Sequence, residues 1–102
     1  MAKSVTWSDE ALQDIEAIAS FIARDSRYYA QKVVSEILEK GESLVEFPES
    51  GRVLPELNRA EIRECFIYSY RLIYQIQTDA IHILTVFHGR RLMAPQHHLP
   101  LG

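Results

Sequence analysis

Between Tyr70 and Arg91 the chain reads YRLIYQIQTDAIHILTVFHGRR. Two β-patterned runs, Tyr70–Gln77 and Ala80–His88, flank the short polar break Thr78-Asp79. A β-hairpin is only marginally stable alone, so the rest of the chain must supply further strands or a helical cover. In the first run Tyr70, Leu72, Tyr74 and Ile76 share one face, the expected core face. Arg71, Ile73, Gln75 and Gln77 share the other, which is half polar. Cations cluster at the ends of the hairpin: Arg71 opens the first run, and His88, Arg90 and Arg91 close the second. Strand pairing does not require them; a surface that binds phosphate or a carboxylate-rich partner does.

The preceding segments supply the cover. Lys3–Trp7 alternates and reads as a first strand. Ser8 is a good N-cap, with Asp9 and Glu10 in the first turn where the helix dipole favours anions. Ala11, Leu12, Ile15, Ile18, Ala19 and Ile22 then recur at helical spacing. Asp25-Ser26 breaks this stripe and can cap a second helix, carried by Ala30, Val33, Val34, Ile37, Leu38, Gly41, Leu44 and Val45. Gly41 lies on that stripe and is expected to allow close approach of the two helices, while Tyr28-Tyr29 is expected to pack within the hairpin. Pro48 stops the helix near Phe47, Glu49–Asn58 reads as loop, and Glu61–Tyr68 as a strand. The expected order is β-α-α-β-β-β: an α+β domain with a helical hairpin packed on a small antiparallel sheet.

At 102 residues, 47% hydrophobic and 25% charged, the chain is expected to be one globular domain over 1–102, with a weakly patterned tail at 92–102. Its single cysteine, Cys65, excludes an intrachain disulfide framework and fits a cytoplasmic protein. No apolar run approaches a membrane span, and the N-terminus lacks the apolar core of a signal peptide. Charge is divided unevenly: residues 1–50 carry −5 and residues 51–102 carry +2, for a net −3. That balance argues against a general attraction to nucleic acid. His82 and His88 share strand parity and His97-His98 follow, yet no zinc-type ligand spacing is present, so neither metal nor cofactor is expected.

Four segments, in this order and spacing, resemble the RelE/ParE superfamily of type II toxin–antitoxin toxins: WSDEALQDIEAIASFIA, VEFPESGRVLPEL, IREC with YRLIYQI, and ILTVFHGRR. The resemblance covers roughly residues 5–91 and implies a growth-inhibiting toxin neutralised by a cognate antitoxin, whose C-terminal segment wraps it as helix and strand. Plasmid stabilisation belongs to the same implied biology. RelE-like members cleave mRNA in the ribosomal A site, and ParE-like members poison DNA gyrase without cutting RNA.

For a nuclease, the resemblance implies Arg63, Arg71, His88 and Arg90 as candidate catalytic residues. Metal-free RNA cleavage needs a base for the 2′-hydroxyl, an acid for the leaving oxygen and cations for the phosphorane. The arginines suit only the last role. No lysine follows Lys40 and no tyrosine follows Tyr74, leaving His88 and Glu64 as substitutes for proton transfer. Arg71 also admits a plainer role, pairing with Glu61 or Glu64 across the sheet. The expectation is therefore a ParE-like protein that binds DNA gyrase, with Arg71, His88, Arg90 and Arg91 in target or antitoxin binding; the alternative is a ribosome-dependent mRNA interferase.

Overall fold

The computed structural model describes residues 4–89. Its elements are β1 (Ser4–Trp7), α1 (Asp9–Ala23), α2 (Arg27–Ser43), β2 (Arg52–Val53), β3 (Ile62–Ile67), β4 (Tyr70–Ile76) and β5 (Ala80–His88). They form one five-stranded sheet in the order β1-β5-β4-β3-β2, with the α1/α2 hairpin against one face. The α+β architecture is the expected one. Two details go beyond the expectation: β1 runs parallel to β5, making the sheet mixed, and the short β2 adds a strand within the segment expected to be loop.

Ser8 joins β1 to α1. Its side chain caps the helix by accepting from the Ala11 amide and donates to the Leu84 carbonyl, and its own amide donates to Ile83. Ser26 caps α2 in the same way through the Tyr29 amide. Ala11, Ile15 and Ile18 of α1 and Val33 and Ile37 of α2 bury against Leu72, Tyr74, Ile81, Ile83 and Val86 of the sheet. Each fully buried large aliphatic side chain contributes about 1.5–3 kcal/mol. The Tyr74 hydroxyl, inside this core, donates to the Pro48 carbonyl and accepts from the Gly51 amide, tying the α2–β2 connection to the sheet. Burial pushes its phenol pKa up, against the opposing effect of the Gly51 amide.

Three expectations need correcting. Gly41 makes room for β1 and not for α1: a Cβ there would lie 2.4 Å from Cζ2 of Trp7. Tyr28 and Tyr29 are 70% and 59% exposed, because they occupy the first turn of α2 on its outward side. Finally, the Arg71/Ile73/Gln75 face is as buried as its opposite, because the β2–β3 loop folds over it. Leu54 and Leu57 of that loop pack on Ile62, Ile73, Leu84 and Phe87 to make a second, smaller core.

The Gly41 contact carries a prediction. Gly41→Ala gains up to ~1 kcal/mol of helix propensity. Against that, the new methyl meets a fixed indole ring, and overpacking costs about 1–3 kcal/mol. A net loss of stability is expected in urea titration. Trp7 is the only tryptophan, so its emission should shift in the folded variant.

Candidate functional site

The sheet face opposite the helices carries an ion-paired cluster at the β2, β3 and β4 strands. Arg71 stands at its centre, on an interior strand and not at an edge. Its Nε donates to Glu64 Oε1 at 2.6 Å, and its Nη1 and Nη2 donate to the two oxygens of Glu56 at 2.9 Å each. Both edges of the planar guanidinium are thus matched by carboxylates, the geometry in which arginine binds most strongly. The Glu64 side chain is 0% exposed and also accepts from Arg52 Nε. Burial acts to lower the Arg71 pKa, but the Glu56 and Glu64 carboxylates outweigh it and the net shift is upward. Of the two partners considered for Arg71 from sequence, Glu64 is the one observed; Glu61 pairs instead with Arg59 at the surface.

Aromatic rings frame the cluster. Arg71 lies over the Phe87 ring at 5.2 Å and Arg52 over Phe66 at 5.9 Å. A cavity of about 340 Å³ opens beside them, lined by Arg52, Pro55, Glu56, Phe66, Arg71 and Gly89. Gly89 is needed at its rim: its amide donates to Ser69, and a Cβ would lie 2.8 Å from that carbonyl oxygen.

The other candidates do not converge on Arg71. His88 pairs with Tyr70 across β4 and β5, and the two rings meet edge to face at 5.7 Å. Tyr70 packs against the helix-side core, so His88 and Arg71 lie on opposite faces of the sheet. Arg63 also sits apart, donating to the carbonyls of Ala60 and Gly51. Arg90 and Arg91 lie outside the described residues, as do His97 and His98.

A β-bulge explains the separation. Tyr74 pairs with Ile83 and Ile73 with Thr85, so Leu84 is an extra residue in β5. Side-chain parity inverts beyond it. His82, before the bulge, lies beside Thr6, whose Oγ1 is 2.7 Å from its Nδ1. His88, after it, falls on the helix side. Among the described residues there is no cluster of histidine, cysteine and carboxylate able to hold a metal. Cys65 packs against the helix-side core, and its thiol is pushed up to about 11, chiefly by burial, which makes it a poor nucleophile at neutral pH.

Two residues of the cluster, Arg52 and Glu56, were not singled out by sequence reasoning. Arg52 carried a weak signal in the alternation RVL; Glu56 carried none, because a loop brings it to Arg71 across 15 positions.

Two further surfaces are open. A groove of about 560 Å³ runs between the helices past Ala19, Ala23, Ala30 and Val34. On the other side, β5 outruns the four-residue β1. There Asp14 of α1 accepts from the Val86 amide and the Thr85 hydroxyl, satisfying part of the strand edge. Among the described residues no helix is long and apolar enough to cross a membrane.

Comparison with known proteins agrees with this architecture. Residues 5–93 match the family model described as the ParE toxin of the type II toxin–antitoxin system parDE. The chain is 33% identical over 89 residues to Toxin RelE2 of Caulobacter vibrioides, covering 86% of this chain and 97% of that protein. It is 32% identical over 89 residues to the putative toxin Y4kP of Sinorhizobium fredii, covering 87% and 91%. Among solved structures, the chromosomal ParDE toxin–antitoxin system of P. aeruginosa superposes with a TM-score of 0.69 at 20% identity, over 83% of this chain and 94% of that one. The RelBE2 toxin–antitoxin complex of Mycobacterium tuberculosis gives 0.63 at 20% identity, over 86% and 99%. With its helical hairpin on a mixed sheet and a family match spanning nearly its whole length, the chain belongs to the ParE toxin family of type II toxin–antitoxin systems.

Proposed function

We propose that this toxin inhibits growth by binding DNA gyrase rather than by cutting RNA, and that a cognate antitoxin holds it inactive. The observation that carries this reading is the placement of Arg71 and His88 on opposite faces of the sheet. A general base must reach its proton within hydrogen-bond distance while the phosphorane is held by nearby cations. A histidine behind the sheet does not serve a phosphate bound in front of it. Arg71, held by two carboxylates, suits a protein contact better than an open phosphate site. The reading is tested with purified toxin in a gyrase supercoiling assay. Inhibition at micromolar toxin is expected, and unimpaired supercoiling would reject it.

The competing reading, ribosome-dependent mRNA cleavage, draws on the similarity to a relative named RelE2 and on the set Arg63, Arg71, His88 and Arg90. Primer extension on mRNA in translating ribosomes separates the two. Codon-positioned cuts that vanish in Arg71→Ala and weaken in His88→Ala would establish cleavage; intact mRNA in arrested cells would exclude it.

The antitoxin has two suitable seats, the groove between α1 and α2 and the edge of β5 beyond β1. The first fits an amphipathic helix and the second an extended segment, both common modes of peptide recognition.

A further inference from the structure

Tyr68 occupies a backbone position that suits it badly. With Ser69 it makes the two-residue turn between β3 and β4, and its φ is 55°. That left-handed conformation costs a bulky residue stability, whereas glycine adopts it freely. Asn58, the other described non-glycine residue with a positive φ, has a side chain that tolerates the conformation. Burial does not offset the cost, because Tyr68 is 57% exposed. An exposed aromatic ring held at a strained turn points to a role outside the packing of the fold.

The surroundings of the ring define the ligand. A trough of about 420 Å³ runs between α2 and the end of β3, with Glu36, Glu39 and Lys40 on one wall and Phe66, Ile67 and Tyr68 on the other. It is open because β2 pairs only with Arg63 and Glu64 and stops short of residues 65–67. The Glu36 carboxylate lies at the Tyr68 hydroxyl and, as its hydrogen-bond acceptor, is the main cause of that phenol's raised pKa. Tyr28 and Tyr29, packed edge to face at 5.8 Å, lie close enough to add to the effect. Lys40 stands farther along, close enough to Cys65 to act on its thiol. Among the described residues neither Glu36 nor Glu39 forms an ion pair. The Tyr68 end of the trough is therefore both aromatic and anionic.

We infer that this end of the trough is a binding site for an arginine side chain of a protein partner. The guanidinium stacks on the Tyr68 ring while its N–H groups donate to Glu36 and Glu39.

The chemistry favours that ligand on three counts. Aromatic faces attract cations, and the guanidinium plane stacks on them. A carboxylate accepts at two oxygens, so Glu36 can keep the Tyr68 hydroxyl and take a new donor. Two carboxylates against the one ammonium of Lys40 leave the trough negative, which repels phosphate and disfavours RNA or DNA here. The site shares no lining residue with the groove between the helices and lies across the sheet from the β5 edge. It therefore stands whatever the antitoxin's seat or the poisoned target.

The test is calorimetric titration of the full chain with hexaarginine at physiological salt. The wild type is expected to bind, and Tyr68→Gly to bind at least about tenfold more weakly. Because glycine relieves the turn, that variant should unfold at a urea concentration equal to or above the wild type's, which separates lost contact from lost fold. Glu36→Gln should also weaken binding several-fold, whereas Glu16→Gln, at an exposed position of α1, should leave it unchanged. Hexalysine, which carries the charge without the plane, should bind the wild type more weakly than hexaarginine. Absence of wild-type binding, equal affinity in Tyr68→Gly, or an equal loss in Glu16→Gln would overturn the proposal. So would equal binding of hexalysine, which would leave charge as the only determinant, or a Tyr68→Gly variant that unfolds more easily, which would make the ring structural. Binding of hexathymidylate that depends on Tyr68 would assign the trough to nucleic acid and overturn it as well.

Discussion

Glu64→Ala is expected to destabilise the domain by about 3 kcal/mol, because removing one partner of a buried ion pair leaves the other charge uncompensated. Glu64 is fully buried and holds Arg52 on one side and Arg71 on the other. The two guanidiniums do not suffer equally. Arg52 is 64% exposed and recovers water, whereas Arg71 is 5% exposed and does not. Glu56 remains on the outer fork of Arg71, which keeps the loss near the lower end of the range for buried pairs. For a domain of this size the expected fall in melting temperature is roughly 12–24 °C. Glu56→Ala, at the exposed end of the network, should cost only about 1 kcal/mol. Urea titrations of both variants measure the contrast. A Glu64→Ala loss below about 1 kcal/mol would mean that water reaches Arg71 and that the cluster does not organise this face. Replacing Glu64 and Arg71 together by Leu and Met should recover much of the stability, since buried pairs contribute little beyond their well-packed apolar equivalents.

The sequence displayed some of this network and hid the rest, for reasons that lie in local geometry. Arg71 and Glu64 were visible because each interrupts an apolar β-pattern, and such interruptions in a strand need a partner. The helices were legible through Ser8 and Ser26, whose side chains cap them, and through stripes that bury Ala11, Ile15 and Ile18, then Val33 and Ile37. The bulge at Leu84 was not legible. A strand's faces are inferred by alternation, and one extra residue inverts every later assignment without leaving a mark in the residue types. That single residue places His88 behind the sheet and dissolves the apparent pairing of His82 with His88. Strand β2 was hidden by its length of two residues within a segment rich in Gly, Pro and Ser. The burial of Ile73 was missed for a related reason: the apolar residues covering it come from a loop, where neither helical nor strand periodicity applies.

That loop gives the second large effect. Leu54→Ala should cost about 2–5 kcal/mol, the range for deleting a fully buried leucine side chain. Leu54 is completely buried against Ile62, Ile73, Leu84 and Phe87, and its backbone anchors the loop at both ends. Its amide donates to Ile62 and its carbonyl accepts from Leu57 and Asn58. Little can collapse into the resulting cavity, since all four of the surrounding residues belong to paired strands. The effect should therefore reach beyond stability. Losing this anchor loosens the turn that carries Glu56, so hydrogen exchange at Leu57 and Asn58 should rise more than exchange at Leu72 in the helix-side core. Ile37→Ala offers the control: it removes a comparably buried side chain from that other core, with a similar loss in urea but no selective change in the loop. Uniform acceleration in both variants would show that the two faces of the sheet unfold as one unit. Selective acceleration in Leu54→Ala would show that the loop opens separately from the helix-side core.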